Sequence, residues 1–487
     1  MQTVSCPSCG AEVHFRSHAS VLAVCDYCHG TILKDADSVR DIGKMSAVLE
    51  DYSAIQIGTA GVHEGVHFTV VGRIQQRYAA GTWNEWYLLF DDASTAWLGD
   101  SSGLYTMTRE RKAAGALPAF AELRPGQQYT INNEPYTAAE VRSGECIAGQ
   151  GELPFKVGSG WRIQVADLRN YASFATLDYT DGPQPVLYQG VAVTLEGMQC
   201  QLLRDTDAIA RTAGKYRGKL DALDCPSCGS GIKYVPGAAA QLVCPACHAQ
   251  LDATGPEAQV LAKGQQVEEE ADITLELGAS AKINNVDFTV IGMMRRADDE
   301  GTEWNEYLLY NAHAGFFWLV ETDEGWSRAS VLPNWPTWAS LDADKCTLDG
   351  ATYTKLYDYG SQVTYAAGAF NWKVAVGDTT HVYEFEQGQT KLAAELTGEE
   401  MTWSRSVPVA YDQMSAWFGA AFHGIAPSSN IKMSHRGVAK VFIIITLVLN
   451  AIPMFVSFSS TLMWSVLGCL ALFVPALFLD KNTKTPQ

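Results

Sequence analysis

Eight of the twelve cysteines fall into two sets with metal-ligand spacing: Cys6-x2-Cys9-x15-Cys25-x2-Cys28 and Cys225-x2-Cys228-x15-Cys244-x2-Cys247. A Cys-x2-Cys knuckle brings two thiolates to one ion from a tight turn, and two knuckles complete a tetrahedral S4 site. The spacing therefore predicts two zinc ribbons, each holding one Zn2+ ion through its four cysteines. Four thiolates close the coordination shell and leave no position for an activated water, so the zinc expected is structural, not catalytic. Gly10 and Gly229 suit the turn just past the first knuckle of each set. Disulfides are disfavoured in a cytoplasmic chain, and a redox dithiol does not need four paired cysteines. His29 and His248 follow the last cysteine of each set, as alternative ligands or, more simply, as turn residues. Cys146, Cys200, Cys346 and Cys469 have no counterpart in the other half and read as core or membrane-facing thiols.

Each cysteine of the second set lies 219 residues after its counterpart, and the similarity continues beyond the ribbons. His67-Phe68-Thr69-Val70-Val71-Gly72 returns as Asp287-Phe288-Thr289-Val290-Ile291-Gly292 at an offset of 220. Trp83-Asn84-Glu85-Trp86-Tyr87-Leu88-Leu89 returns as Trp304-Asn305-Glu306-Tyr307-Leu308-Leu309 with one residue dropped, and Trp97-Leu98 as Trp318-Leu319. Phe155-Lys156-Val157 and Trp372-Lys373-Val374 match more loosely. This is a tandem duplication of a ribbon plus a larger domain, not a solenoid of short repeats.

The elements that must position these residues read as strands. Ala281–Ile283 and Val286–Met294 flank Asn284-Asn285, a pair suited to a tight hairpin turn. Glu306–Tyr310, Phe316–Glu321 and Trp326–Val331 follow, and the first copy repeats the meander as Val66–Tyr78, Trp86–Phe90, Thr95–Leu98 and Leu104–Thr108. The expected fold is mainly β: two small β-barrel or sandwich-like domains, each preceded by a zinc ribbon, plus a C-terminal two-helix transmembrane hairpin. The expected boundaries are 1–35 and 224–255 for the ribbons, 50–205 and 270–405 for the β-domains and 206–223 for a linker. A juxtamembrane segment at 406–436 leads to the hairpin at 437–480. Around Tyr411, Met414, Trp417, Phe418 and Phe422 the apolar spacing is helical, suiting either a membrane surface or the second β-domain.

The hairpin rests on Val441–Leu479, 39 consecutive residues without a charged side chain or a histidine. One helix of that length would span roughly 58 Å, about twice a hydrocarbon core. Two spans, about 438–456 and 462–479, joined near Ser457–Thr461, resolve the excess. Asn450, Pro453 and Pro475 interrupt the apolar run and suit helix contacts. Lys432, Arg436 and Lys440 precede the spans and Lys481 and Lys484 follow them, so both ends are expected in the cytoplasm. The N-terminus shows no basic segment followed by an apolar run, so no signal peptide is expected.

The chain of 487 residues is 47% hydrophobic and 18% charged, with a formal charge of −19. That acidity opposes nucleic acid and anionic lipid head groups. Residues 1–35 carry a net charge of −1 and residues 221–255 of −2, so neither ribbon has the basic patch that phosphate contacts need. No Walker loop, GxSxG or HExxH motif is present. Outside the ribbons the Trp-Asn-Glu element is the one polar constellation evident in both copies. Its Trp83, Glu85, Trp304 and Glu306 are candidate partner-surface residues, with local pairing of each carboxylate as the plainer reading.

The run apolar-Phe-Thr-Val-Ile/Val-Gly, then Trp-x-Glu-aromatic-x-Leu, then Trp-Leu resembles the bacterial domain of unknown function 4178 family, present twice at about 50–205 and 270–405. The resemblance implies a β-rich fold and a bacterial membrane-associated setting, and it transfers no catalytic residue. The expected function is a non-enzymatic, membrane-anchored scaffold or adaptor presenting protein-binding surfaces to the cytoplasm, in envelope stress or membrane maintenance. One alternative is an enzyme or ligand-binding module, which a pocket with convergent acids in only one copy would favour. The other is a nucleic-acid-tethering protein.

Overall fold

Eight antiparallel strands close into a barrel in each half of the duplication. The barrel strands of the first half are β1 (Val66–Tyr78), β2 (Gly81–Phe90), β3 (Thr95–Ser101), β4 (Leu104–Arg111), β5 (Glu134–Leu153), β6 (Trp161–Asn170), β7 (Ser173–Asp178) and β8 (Val186–Val193). Those of the second are β9 (Val286–Asp298), β10 (Glu303–Asn311), β11 (Gly315–Thr322), β12 (Gly325–Val331), β13 (Ala351–Phe370), β14 (Thr379–Gln387), β15 (Thr390–Leu396) and β16 (Met401–Val409). Around the first ring the order is β1-β2-β3-β4-β8-β7-β6-β5, and β5 returns to β1 through Ala148–Gly151. The second ring has the same order, closed by β13 against β9. The computed structural model describes residues 2–17, 19–35, 38–44, 53–78, 81–101, 104–155, 161–205, 209, 223–232, 241–252, 259–262, 273–311, 314–422, 439, 442–450 and 458–482.

Closure explains the glycine of the repeated Phe-Thr-Val-Val/Ile-Gly word. Gly72 lies opposite Gly151, and Gly292 opposite Gly368. A Cβ on Gly72 would overlap the carbonyl of Glu152, and one on Gly292 would crowd the carbonyl of Ala369. Gly151 and Gly368 also hold φ of +68° and +93°, a region that L side chains rarely enter. The hairpin into β9 turns at Asn284 and Asn285, with φ of 50° and 64°, the double left-handed turn suited to right-twisted strands.

Side chains alternate between the lumen and the outside of each barrel. Phe68, Val70, Trp86, Leu88 and Leu98 form one apolar face, packed beneath Ile55 and Met198. Leu168, Leu177 and Leu187 pack beneath Leu123 and Ile131. On the second barrel, Phe288, Leu309 and Phe317 are covered in part by helix α1 (Tyr411–Phe418), which buries Met414 and Phe418. The amphipathic segment thus packs on the second β-domain, one of the two placements its spacing allowed.

The ribbons are continuous with the barrels. Leu22–Val24 pairs with Gly151–Leu153 at the end of β5, and Gln241–Val243 pairs with Gly368–Phe370 at the end of β13. These two barrel strands run 20 residues each, long enough to close a ring and still carry a ribbon hairpin. Between the barrels, the Val141 N–H donates to Glu399 O at 3.0 Å and the Trp335 N–H to Tyr171 O at 3.1 Å.

The chain forms two compact units, 1–424 and 425–487. In the second unit, residues 442–450 are helical. Helix α2 (Phe458–Asn482) runs 25 residues with Pro475 inside it, and its side chains are described over 461–471 and 473–475. Among the described residues no helix is long and apolar enough to cross a membrane. Residues 438, 440–441 and 451–456 of the first expected span lie outside the described residues, as does the linker 206–223 apart from Ile209 and Leu223.

Candidate metal centres and barrel lumens

Each cysteine set gathers its four Sγ atoms within 4.8 Å of one another. Cys6 and Cys28 stand 3.6 Å apart and Cys9 and Cys25 3.7 Å. In the second ribbon Cys225–Cys247 is 3.7 Å and Cys228–Cys244 3.8 Å. A disulfide needs about 2.05 Å. A tetrahedral ion with Zn–S bonds of about 2.3 Å places its sulfurs about 3.8 Å apart. The donor sets therefore fit a closed tetrahedral metal site and are consistent with zinc.

The knuckles are built alike. Gly10 N–H donates to Cys6 O at 2.8 Å, and Cys6 N–H to Ala11 O at 2.7 Å. His29 N–H donates to Cys25 O at 2.9 Å, so His29 occupies in the second knuckle the place of Gly10 in the first. His29 and His248 hold φ of 56° and 55°, beside 78° and 77° at Gly10 and Gly229. Both histidines are turn residues, and the described thiols alone form the two donor sets.

The Trp-Asn-Glu element sits on β2 and β10 and divides between the two faces. The Trp83 indole N–H donates to Glu85 Oε1 at 3.1 Å, and Trp304 to Glu306 Oε1 at 2.7 Å. Residues two apart on a strand share a face, and here that face is the lumen. Asn84 points the other way and accepts Arg73 Nη2 at 2.7 Å, while Asn305 accepts Arg295 Nε at 3.0 Å. The structure thus places Trp83, Glu85, Trp304 and Glu306 inside the barrels and not on an outer partner surface. Trp83 is 6% exposed, and the Glu306 side chain 14%.

All eight strands of the first barrel line a cavity of about 140 Å³. Gln76, Glu85, Asp167 and Asp178 face it together with Arg142 and Arg169, and Trp97, Phe155 and Trp161 form an aromatic wall. Phe155 stacks on Trp97 at 5.6 Å, and in the second barrel Trp372 meets Trp318 at 5.3 Å. Phe155 and Trp372, the aromatic residues of the loosely matching words, therefore play the same part.

Residues 56–194 and 276–410, more than half of the chain, match the family described as Domain of unknown function (DUF4178). The chain belongs to this family. Both matched stretches contain a complete barrel of the tandem. No curated protein matches the chain.

Strand register aligns the lumens of the two DUF4178 barrels residue by residue. Gln76 faces Trp83 across β1 and β2, as Arg296 faces Trp304 across β9 and β10. Val165–Asp178 and Asp167–Thr176 pair across β6 and β7 as Val382–Glu395 and Glu384–Ala393 do across β14 and β15. Three carboxylates therefore correspond: Glu85 with Glu306, Asp167 with Glu384, and Asp178 with Glu395. The Trp-Asn-Glu element is not the one polar constellation kept, which corrects the sequence reading. The other two pairs escaped it because Asp replaces Glu at an offset of 217 inside otherwise dissimilar words.

What answers these acids differs. In the second barrel Arg296 Nη1 reaches Glu395 at 2.9 Å across the lumen and stands 3.7 Å from Glu306. Burial alone disfavours its charge, but Glu306 and Glu395 together hold it above its ordinary value. Glu384 accepts the Tyr359 hydroxyl at 2.9 Å. In the first barrel Arg142, at the place of Tyr359, pairs with Asp167 at 2.8 Å and with Glu140. Arg169 lies over the Phe174 ring at 4.5 Å, and burial brings it down to about 10. Among the described residues neither Glu85 nor Asp178 has an ion pair. Burial pushes Glu85 up to about 7 against the Trp83 hydrogen bond, and the charges of Asp167 and Asp178 add to the rise. Burial likewise raises Asp178 against its hydrogen bonds from Thr180, with Asp181 and Asp167 adding.

Proposed function

We propose that this DUF4178 protein is a membrane-anchored scaffold whose two zinc-bearing barrel units face the cytoplasm and make contacts with other proteins. The observation that carries the reading is the tail. Its uncharged run of 39 residues has outer basic flanks, and many of its described side chains are exposed and apolar, including Ile444 at 61%, Leu449 at 71% and Trp464 at 68%. Such a surface calls for lipid or another apolar helix. A two-span hairpin at about 438–456 and 462–479, with Lys432, Arg436, Lys440, Lys481 and Lys484 inside, satisfies it. Zinc in the cysteine sets acts as a structural ion, because four thiolates leave no open position for a reacting group. Ribbons hydrogen-bonded into barrel sheets and carrying net negative charge suit protein contact better than phosphate contact.

The test is fractionation combined with labelling. The full chain should sediment with membranes and be released by detergent. A membrane-impermeant thiol reagent should reach the ribbon cysteines only after lysis, while a cysteine introduced at Ser459 should label from outside. Recovery of the full chain in the soluble fraction would overturn the anchor. Labelling of the ribbon thiols in intact cells would overturn the orientation and the cytoplasmic role with it.

A further inference from the structure

The barrel lumens share an acidic frame, and only one of them carries its own guanidinium between Glu85/Glu306 and Asp178/Glu395. At the first-barrel position of Arg296 stands Gln76, 4% exposed, whose Oε1 accepts no hydrogen bond. A buried carbonyl oxygen without a donor costs roughly 1–3 kcal/mol, so a molecule that retains one has a place for a donor beside it. Gln76, Glu85 and Asp178 all line the 140 Å³ cavity. Gln76 Oε1 and the two carboxylates present acceptors there, and the two arginines that also line it are held by Asp167, Glu140 and the Phe174 ring. We propose that the first barrel binds a small organic cation with a guanidinium head, which donates to Gln76 Oε1, Glu85 and Asp178 in the place that Arg296 fills in the second barrel.

The geometry of the twin supplies the fit. Arg296 spans the corresponding carboxylates from one strand across the lumen, at 2.9 Å to one and 3.7 Å to the other, so this frame accepts a planar, multi-donor cation. At about 140 Å³ the cavity is close to the roughly 150 Å³ that takes up a benzene-sized guest, enough for a guanidinium head and a short apolar stem. Trp97, Phe155 and Trp161 offer that stem an apolar wall and the cation aromatic faces. A metal ion fits less well, since an amide oxygen and two separated carboxylates beside an aromatic wall lack the oxygen-rich shell that hard cations need.

The probe is methylguanidinium chloride, added at millimolar concentration to the full chain in detergent. Binding is read by ligand-observed NMR and by thermal shift, with sodium chloride and tetramethylammonium chloride at equal ionic strength as controls. Saturable binding of about one equivalent is expected for methylguanidinium, and none for tetramethylammonium, which has no N–H donor. Glu85→Gln and Asp178→Asn should each weaken it at least about tenfold, which is about 1.4 kcal/mol. Gln76→Arg should abolish it by supplying the guanidinium from within. Metal content near two equivalents and an unchanged circular dichroism spectrum would show that a variant is folded; if one variant fails that check, the remaining two decide. A response no larger than that to sodium chloride, as water filling the cavity would give, overturns the proposal. So does equal binding by the wild type and the folded variants.

Discussion

The second barrel contains, in Arg296, a cation that meets Glu395 at 2.9 Å and Glu306 at 3.7 Å; the first contains, at the same point of the same strand, the amide of Gln76 and an open cavity. Both keep the Trp-to-Glu hydrogen bond, the glycine pair at barrel closure and the ribbon stitched to the longest strand. The shared features concern how the ring closes and what it carries. The exchange at 76/296 decides whether a cation stands between Glu85/Glu306 and Asp178/Glu395; the first lumen's own arginines, Arg142 and Arg169, are engaged by Asp167, Glu140 and the Phe174 ring. Duplication of a barrel permits such a division, because one copy can bridge Glu306 and Glu395 with its own cation while the other leaves Glu85 and Asp178 without an ion pair among the described residues.

The largest effect should come from the feature the two halves share most closely. Cys6→Ser and Cys225→Ser each remove one donor from a four-thiolate set. Metal analysis of the wild type should give close to two equivalents of zinc, and each variant should lose about one. The loss should loosen only the ribbon concerned, making Leu22–Val24 or Gln241–Val243 and their flanks sites of proteolysis. Near-zero metal in the wild type, with eight freely titrating thiols, would break the equivalence of the ribbons to zinc sites. Loss of both equivalents in either variant would show the two halves to be coupled and not parallel.

Next in size is the lumen exchange. Arg296→Met would leave Glu306 and Glu395 without their cation. Breaking a buried pair costs about 3–5 kcal/mol, and the lower end is expected because the Glu395 side chain is 39% exposed. Chemical denaturation should show the loss in the transition of the second barrel, and Gln76→Met in the first should have no comparable cost. Equal effects of the two substitutions would mean that Arg296 does not neutralise its lumen.

The ribbon seams offer a finer comparison. Glu152, 3% exposed, accepts the N–H groups of Arg16 and Ser17 at 2.7 and 3.0 Å and the Ser20 hydroxyl at 2.9 Å. On the second ribbon Gln241 Oε1 accepts the Val374 N–H at 2.6 Å. Glu152→Ala should destabilise the first ribbon by about 2–3 kcal/mol and Gln241→Ala the second by about 1 kcal/mol, since hydrogen bonds to charged acceptors are worth more and Glu152 has more donors. Amide exchange in Leu22–Val24 and Gln241–Val243 would measure both, and the reverse ranking would refute this account of the seams.

What could be read from the sequence follows from the range of the forces involved. The cysteine knuckles and the Asn284-Asn285 turn are local, written in residues a few positions apart, and β1 is legible to its ends from its own apolar run. Barrel closure is not local: β5 meets β1 some 75 residues away, and nothing in Ala148–Gly151 advertises the partner except Gly151, whose need appears only when the backbones touch. The lumen acids fall between these cases. Asp167 and Asp178 alternate properly on their strands, but their match to Glu384 and Glu395 needs the register. For the same reason Trp83 and Glu85 read as surface candidates, because a strand pattern separates two faces without saying that the polar one is enclosed.

The smallest effect expected is a change in pH dependence, larger in the first lumen than in the second. Glu85 ionises at about 7 in the folded protein, above the ordinary carboxylate value, because burial outweighs the Trp83 hydrogen bond and Asp167 and Asp178 add their charges. The cavity it faces also holds Gln76, Glu140, Arg142, Arg169 and Tyr188. A carboxyl raised on folding contributes stability that is fully present below its unfolded value, near 4.5, and is lost as pH rises through about 7. The ligand-free first barrel should therefore weaken between about pH 5 and pH 8, and Glu85→Gln, which keeps an acceptor for Trp83 without the charge, should remove part of that decline. In parallel melts the variant should gain on the wild type by roughly 2–4 °C at pH 8 relative to pH 5, the size of shift that about 1 kcal/mol produces in a domain of this length. Burial raises Glu306 as well, against the lowering by Arg296, so Glu306→Gln should show a smaller gain, offset by the carboxylate that Arg296 loses. Identical pH profiles for wild type and Glu85→Gln would mean that Glu85 is hydrated like a surface acid, and the contrast between the two lumens would then rest on Asp178 and Gln76 alone.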